Sequence, residues 1–186
     1  MDAKDKYLMG MLWKFGTIKP GTNQFVFQSY DKYEQMEYIR KRLAPSKVIK
    51  VSTRKDPRTG AEKTLYRLNF TNEEWAENVR MYEGMKAEKI ADKNFVRGFF
   101  EVKGNINKNG KTRKSLVVSG DASELTMIQK VMISTTNISG SVSSRSDNSS
   151  GHISYSKADM MKLVSEFGAD NPKFWGEMLK KMNPDD

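Results

Sequence analysis

The chain reads as an α+β protein made of two pseudo-symmetric halves, each running αββαββα, and three features of the sequence predict this. The stretch YLMGMLWKFGTI, Tyr7 to Ile18, returns as FVRGFFEVKGNI, Phe95 to Ile106, with Gly10, Gly16 and Ile18 standing 88 positions before Gly98, Gly104 and Ile106. Each copy is apolar nearly all the way round a helix and then gives way to the two-residue alternation of a strand. Helix-start and turn signals follow each copy in the same order. The halves divide as residues 1–86 and 87–186, packed as one pseudo-twofold unit.

In the first half, Tyr7, Leu8, Met9, Met11, Leu12, Trp13 and Phe15 surround a helix over Asp5 to Phe15, so that helix must be buried. Past Gly16, PGTN separates Thr17 to Lys19 from QFVFQSY, where Phe25 and Phe27 alternate with Gln24, Val26 and Gln28 as a hairpin with one core face. Asp31 is placed to cap a helix with Tyr33, Met36, Ile39 and Leu43 on one side, ending before Pro45. Two more alternating runs follow about a turn carrying Asp56, Pro57 and Gly60. Ile49, Val51, Tyr66, Leu68 and Phe70 take one face, and Lys50, Ser52, Arg54, Lys63, Arg67 and Asn69 the other. Thr71 with Glu74 has capping-box spacing ahead of a helix through Trp75, Val79 and Tyr82.

After Gly84 the order restarts. The helix around Phe95 to Phe100 leads into VKGNINKNGKTRKSLVVSG, whose Asn109-Gly110 signals a tight hairpin. Asp121 with Glu124 repeats the capping-box spacing before Leu125, Ile128 and Met132. The next hairpin runs through Ile138 and Val142, turns in SDNSSG and returns through Ile153 and Tyr155. Ser139, Ser141, Ser143, Arg145, His152 and Ser154 lie on its opposite face. A disordered serine-rich linker over Ser139 to Ser150 is the alternative reading of this stretch. Ser156 and Asp159 start a helix with Met160, Leu163, Val164 and Phe167, closed by Gly168, and Asn171-Pro172 opens a last helix through Phe174, Trp175, Met178 and Leu179.

With 186 residues, 37% of them hydrophobic, the chain is long enough for a proper core, and its formal charge of +9 points to a polyanionic partner. It has no cysteine, hence no disulfide framework, and its single histidine, His152, can build neither a histidine metal cluster nor a Ser-His-Asp triad. No apolar run reaches membrane-spanning length and the first residues lack a signal-peptide pattern. The expectation is a protein without membrane contact in the cytoplasm, nucleoid-associated in a bacterium or phage, with an organelle left open. Met11, Met36 and Met161 fall at apolar helical positions and read as core filling.

A buried helix ending in glycine and leading into a strand, once per half, resembles the LAGLIDADG homing endonucleases over nearly the whole chain. LMGMLWKFG, Leu8 to Gly16, and VRGFFEVKG, Val96 to Gly104, overlie the family signature with both glycines in place. The resemblance implies that the two motif helices pack at a pseudo-twofold axis, closely enough to need Gly10 and Gly98. It also implies a homing-endonuclease-like saddle, whose concave sheet faces lie along the DNA major groove, and a monomer, since one chain supplies both halves. Lys50, Arg54, Lys63 and Arg67 in one half, with Arg113, Lys114 and Arg145 in the other, would then face DNA.

An active member of that family carries an acidic residue just before the last glycine of each motif, and the pair holds divalent metal between the scissile phosphates. Two carboxylates are needed to bind and charge-compensate metals that polarise phosphate and activate water. Phe15 and Lys103 occupy those positions here, so the resemblance implies no metal, no cofactor and no cleavage. Glu101 stands two residues earlier, opposite Trp13 of the first motif, and offers the alternative of residual nuclease activity.

These readings converge on a nuclease-inactive, sequence-specific protein for double-stranded DNA, regulatory in the manner of a repressor. Lys and Arg, Lys103 among them, would set position on phosphates, and Gln24, Gln28, Arg54 and Arg67 would read base edges. A maturase-like RNA-binding splicing factor and an interaction module for an acidic protein are the alternatives.

Overall fold

A computed structural model describes residues 1–56, 59–109, 113–144 and 149–182. The first half comprises α1 (Ala3–Phe15), β1 (Thr17–Ile18), β2 (Gln24–Ser29), α2 (Tyr33–Leu43), β3 (Lys50–Lys55), β4 (Glu62–Thr71) and α3 (Glu73–Met81). The second comprises α4 (Lys93–Lys103), β5 (Gly104–Asn109), β6 (Arg113–Gly120), α5 (Ala122–Thr136), β7 (Ser141–Ser144), β8 (Gly151–Tyr155), α6 (Lys157–Phe167) and α7 (Pro172–Met182). Each half folds a four-stranded antiparallel sheet, ordered β1-β2-β4-β3 in one and β5-β6-β8-β7 in the other. The same topology therefore occurs twice, in an α+β fold of two pseudo-symmetric halves.

The two motif helices explain how the halves join. From Tyr7 to Trp13, every residue of α1 is buried. A methyl group on Gly10 would overlap the Phe95 carbonyl oxygen and stand 3.1 Å from Phe95 Cα. One on Gly98 would overlap the Tyr7 carbonyl oxygen and stand 3.0 Å from the Met11 amide nitrogen. Each glycine thus admits the main chain of the opposite helix, and the crossing buries Leu8, Met9, Met11, Leu12, Phe95 and Phe99 in one core.

Each sheet packs one face into that core. In the first, Phe25 pairs with Phe70 and Phe27 with Leu68, and the rings of Phe25, Phe27 and Phe70 stack at 5.1 to 6.0 Å. In the second, Leu116 pairs with Tyr155 and Val118 with Ile153. The buried Met36, Ile39, Ala76 and Val79 of α2 and α3 belong to the same core as Leu125, Ile128, Met160 and Leu163 of α5 and α6.

Several local expectations are corrected. Lys32, not Asp31, is the N-cap of α2, and its ammonium, which has no acceptor, makes no side-chain cap bond and donates instead to the Gly104 carbonyl at 3.2 Å, while the Asp31 carboxylate accepts from Ser29 Oγ at 2.8 Å. Asn72 replaces Thr71 as the cap of α3, accepting from the Trp75 amide at 3.1 Å. Asp121 is the N-cap of α5 without a side-chain bond. The Ser156–Asp159 capping box forms with both of its bonds. A 3-10 helix at Gly84–Lys89 and the left-handed Asn137 that closes α5 carried no sequence expectation.

Strand edges account for the rest. Val51 is 60% and Val142 48% exposed, since β3 and β7 are the outer strands of their sheets. Met161 is half exposed, while Met11 and Met36 are buried. Ile138 is buried but precedes β7. Pro57 of the first hairpin turn, Gly110 of the second and residues 145–148 of the last lie outside the described residues.

Candidate nucleic-acid interface

The C-terminal ends of α1 and α4 are where a metal-binding pair would stand, and neither residue supplies a ligand. Phe15 turns into the first core, its ring 5.4 Å from that of Phe27. Lys103 is half-buried at a cleft of about 640 Å³ that also exposes Ser119, Asp121, Ser143 and His152. Burial lowers its pKa, the nearby Lys14 ammonium adds to the effect, and Glu124 and Asp121 oppose it.

Lys14 itself crosses the seam to Glu124 at 2.7 Å and Asp121 at 3.8 Å. Glu124 is therefore drawn from helix capping into a cross-half ion pair, with its carboxyl raised by burial. This cluster of two ammoniums and two carboxylates was missed in the sequence, although Lys14 adjoins Phe15 in the motif. Among the described residues no three His, Cys, Asp or Glu side chains gather to hold a metal ion.

Glu101 lies elsewhere. Fully buried, it accepts hydrogen bonds from Tyr7 Oη at 2.6 Å, Asn171 Nδ2 at 2.6 Å and Trp175 Nε1 at 3.2 Å, with Arg97 Nε at 3.9 Å. It ties α1 and α7 to α4. Its counterpart Trp13 packs 5.3 Å from Phe95 and 5.7 Å from Phe99, ring to ring.

Burial raises the Glu101 carboxyl above its ordinary range, and the Tyr7, Asn171 and Trp175 donors and Arg97 work against that rise. A raised folded value means that this group's contribution to stability is full at low pH and is lost as pH climbs through it. Tyr7→Phe removes one opposing donor and raises the carboxyl further. The variant should lose about 1–3 kcal/mol at neutral pH and less at pH 4, by urea unfolding at both. An equal deficit at the two pH values would show that the hydroxyl does not serve the ionised carboxylate.

The outward sheet faces are the remaining candidates, and register places their residues in rows. Gln28 pairs with Arg67 and Arg67 with Lys50, so these three side chains form one row across β2, β4 and β3. Ser52 pairs with Leu65 and Arg54 with Lys63 on the same face, and Gln24 follows Gln28 in phase along β2. Leu65 is buried despite its outward phase. Lys63 bonds to Asp56.

Lys50, Arg54 and Arg67 form no ion pair among the described residues, and Arg67 Nε is buried without a hydrogen-bond partner. Of the cations away from this face some are paired, Lys6 with Asp92, Arg40 and Lys41 with Glu37, Lys93 with Glu166, Arg97 with Asp170 and Lys173 with Glu34, while others such as Lys19, Lys47, Lys130 and Lys157 form no ion pair among the described residues.

The second sheet presents other chemistry. Asn107 pairs with Ser115, Val117 with Ser154 and Ser154 with Ser141, while Ser119, His152 and Ser143 form a row. Arg113 pairs with Asn109 and Lys114 with Lys108 in the backbone register, but the side chains of both Arg113 and Lys114 lie outside the described residues, as does all of Arg145.

No protein-family model matches the sequence, and no curated protein matches it. Solved structures do resemble the fold. The homing endonuclease I-WcaI bound to its DNA recognition sequence aligns with a TM-score of 0.64 at 14% identity, over 88% of this chain and 79% of that one. The N-terminal LAGLIDADG domain of WhiA aligns at 0.59 and 15% identity, over 90% and 83%. I-DmoI in complex with DNA and Ca aligns at 0.52 and 13% identity, over 88% of each chain.

Proposed function

We propose that this chain, whose fold is LAGLIDADG-like, binds double-stranded DNA sequence-specifically without cutting it and acts as a repressor-like regulator. The observation that carries the reading is the outward face of the first sheet, where Lys50, Arg54 and Arg67 have no carboxylate partner among the described residues. Unpaired cations on the adjacent strands β3 and β4 suit a duplex, because phosphate neutralisation releases counterions and a guanidinium can bind guanine edge-on in the major groove. The same fold in I-WcaI is bound to its DNA recognition sequence.

Loss of cleavage rests on Phe15 and Lys103. A lysine ammonium repels the cation that a carboxylate would attract, and the carboxylates nearby are engaged by Lys14. Lys103 then serves as a fixed positive charge beside the phosphate backbone. A single chain suffices, since the Gly10–Gly98 crossing already buries the motif helices against each other.

The test is a binding and cleavage assay on fragments selected from random duplex DNA, with Mg²⁺ present. One intact motif should be recovered, bound more weakly at high salt, and Lys103→Ala should lower the salt slope by about 1. Magnesium-dependent nicking would overturn the non-cutting part of the reading. Preference for structured RNA, or a tight complex with an acidic protein and no duplex binding, would overturn the DNA part.

A further inference from the structure

We propose that the cleft at the N-terminal ends of the two motif helices is a binding site for a small planar carboxylate. The site does not depend on the DNA-binding reading, because it lies at the opposite ends of α1 and α4 from Phe15 and Lys103. Its volume of about 510 Å³ falls within the range of small-molecule sites. Both halves wall it, with Lys4, Tyr7, Gln35 and Tyr38 from the first and Asn94 and Arg97 from the second.

Gln35 is the observation that points to an occupant. It is 5% exposed, yet its carboxamide makes no hydrogen bond among the described residues. Donors and acceptors left unmet in a buried side chain cost free energy until a partner enters. The carboxamide nitrogen and oxygen are not sealed from solvent, so a partner in the cleft can reach them. Gln35 also borders a second cleft of about 220 Å³, where Asp31, Glu34 and Glu177 outnumber Lys32 and Lys181 and disfavour an anion.

Charge decides the class of ligand in the larger cleft. Arg97 donates from Nη1 to Asp170, stacks over the Tyr7 ring at 4.2 Å and leaves Nε without a hydrogen-bond partner. Glu34, the other carboxylate of the lining, is taken by Lys173. Lys4 forms no ion pair among the described residues, and the Asp2 carboxylate acts on it only from beyond ion-pair distance. With each lining carboxylate matched by a cation, Lys4 leaves one positive charge over, which a monoanion meets. The start of α2 adds to this, since its N-cap, Lys32, makes no side-chain bond and the first amides of the helix are left without a cap. Tyr7 and Tyr38 meet edge to face at 5.1 Å, an aromatic wall that suits a planar body, and Gln35 and Asn94 offer donors and acceptors to a hydroxyl or carbonyl on it.

The probe is para-hydroxybenzoate, with uncharged para-hydroxybenzamide beside it, titrated calorimetrically into the full chain. The acid should bind with a dissociation constant of about 1 mM or tighter and raise the urea midpoint, and the amide should bind at least about 10-fold more weakly. Gln35→Leu should abolish binding without lowering the midpoint of the free chain, because it replaces an unpaired buried carboxamide with an apolar group of similar size. A merely structural Gln35 would give the reverse, a lower midpoint with binding unchanged. Lys4→Gln, on an exposed side chain, should weaken the acid about 2- to 5-fold and leave the amide as it was, and it decides the matter if Gln35→Leu fails to fold. Equal affinity for acid and amide, binding of neither, or a Gln35→Leu chain that binds as before overturns the inference, and none of these outcomes bears on duplex binding.

Discussion

Replacing Gly98 with alanine is expected to destabilise the protein by about 3 kcal/mol or more, at the top of the range for overpacking a core. The added methyl group meets the Tyr7 carbonyl oxygen and the Met11 amide nitrogen, and both belong to the main chain of a buried helix. A side chain can rotate away from an intruder. A helix backbone cannot, so α1 must move off α4 and uncover Met9, Met11, Leu12, Phe95 and Phe99. Adding Gly10→Ala brings the same clash from the other side and should leave no cooperative transition. Gly176 in α7 is the control: nothing lies within 4 Å of a Cβ built there, so Gly176→Ala should be neutral or gain about 0.5–1 kcal/mol through helix propensity. Urea unfolding reads all of these, and a Gly98→Ala curve matching the unaltered protein would refute the close crossing.

The second large effect is on binding. Arg54→Ala and Arg67→Ala should each weaken the selected duplex by about 1–3 kcal/mol, and Lys50→Ala added to both should lower the salt slope by about 3 in all. Folding should change little, because none of the three forms an ion pair among the described residues. Lys41→Ala on α2, where Lys41 is paired with Glu37, keeps the net charge of a single variant and should leave binding as it was. Fluorescence titration at two salt concentrations separates the cases. If Lys41→Ala weakens binding as much as Arg67→Ala, net charge rather than the sheet face is what DNA senses.

Much of this architecture was legible because it depends on long periodic signals. The repeat of Gly10 and Gly98 fixed the helix pair, and the alternation Lys50, Ser52, Arg54 against Leu68 and Phe70 fixed a face that register then reproduced. What escaped depends on competition among near neighbours. Thr71 and Asn72 are both good caps, and the one whose backbone leaves the strand first is chosen by the β2–β4 pairing, in which Thr71 still faces Gln24. Asp31 and Glu124 had capping partners within four residues in sequence but found Ser29 and Lys14 instead. Lys14 comes from the other half of the chain, so no local pattern could announce it. Val51 and Val142 have the right phase for burial, yet phase says nothing about whether a strand ends up at the edge of its sheet.

The Gly10–Gly98 crossing also sets a timetable for synthesis. The two glycines are 88 residues apart, and α1 is made first. At about 5–20 residues per second, roughly 4–18 s separate their emergence from the ribosome. Throughout that interval Leu8, Met9, Met11 and Leu12 belong to a helix whose partner does not yet exist. A nascent chain halted before Lys93 can cover α1 in part with its own half, through Tyr38 and Phe27, but leaves bare the face that Phe95 and Gly98 would meet, and interrupted synthesis should yield aggregates seeded by that face.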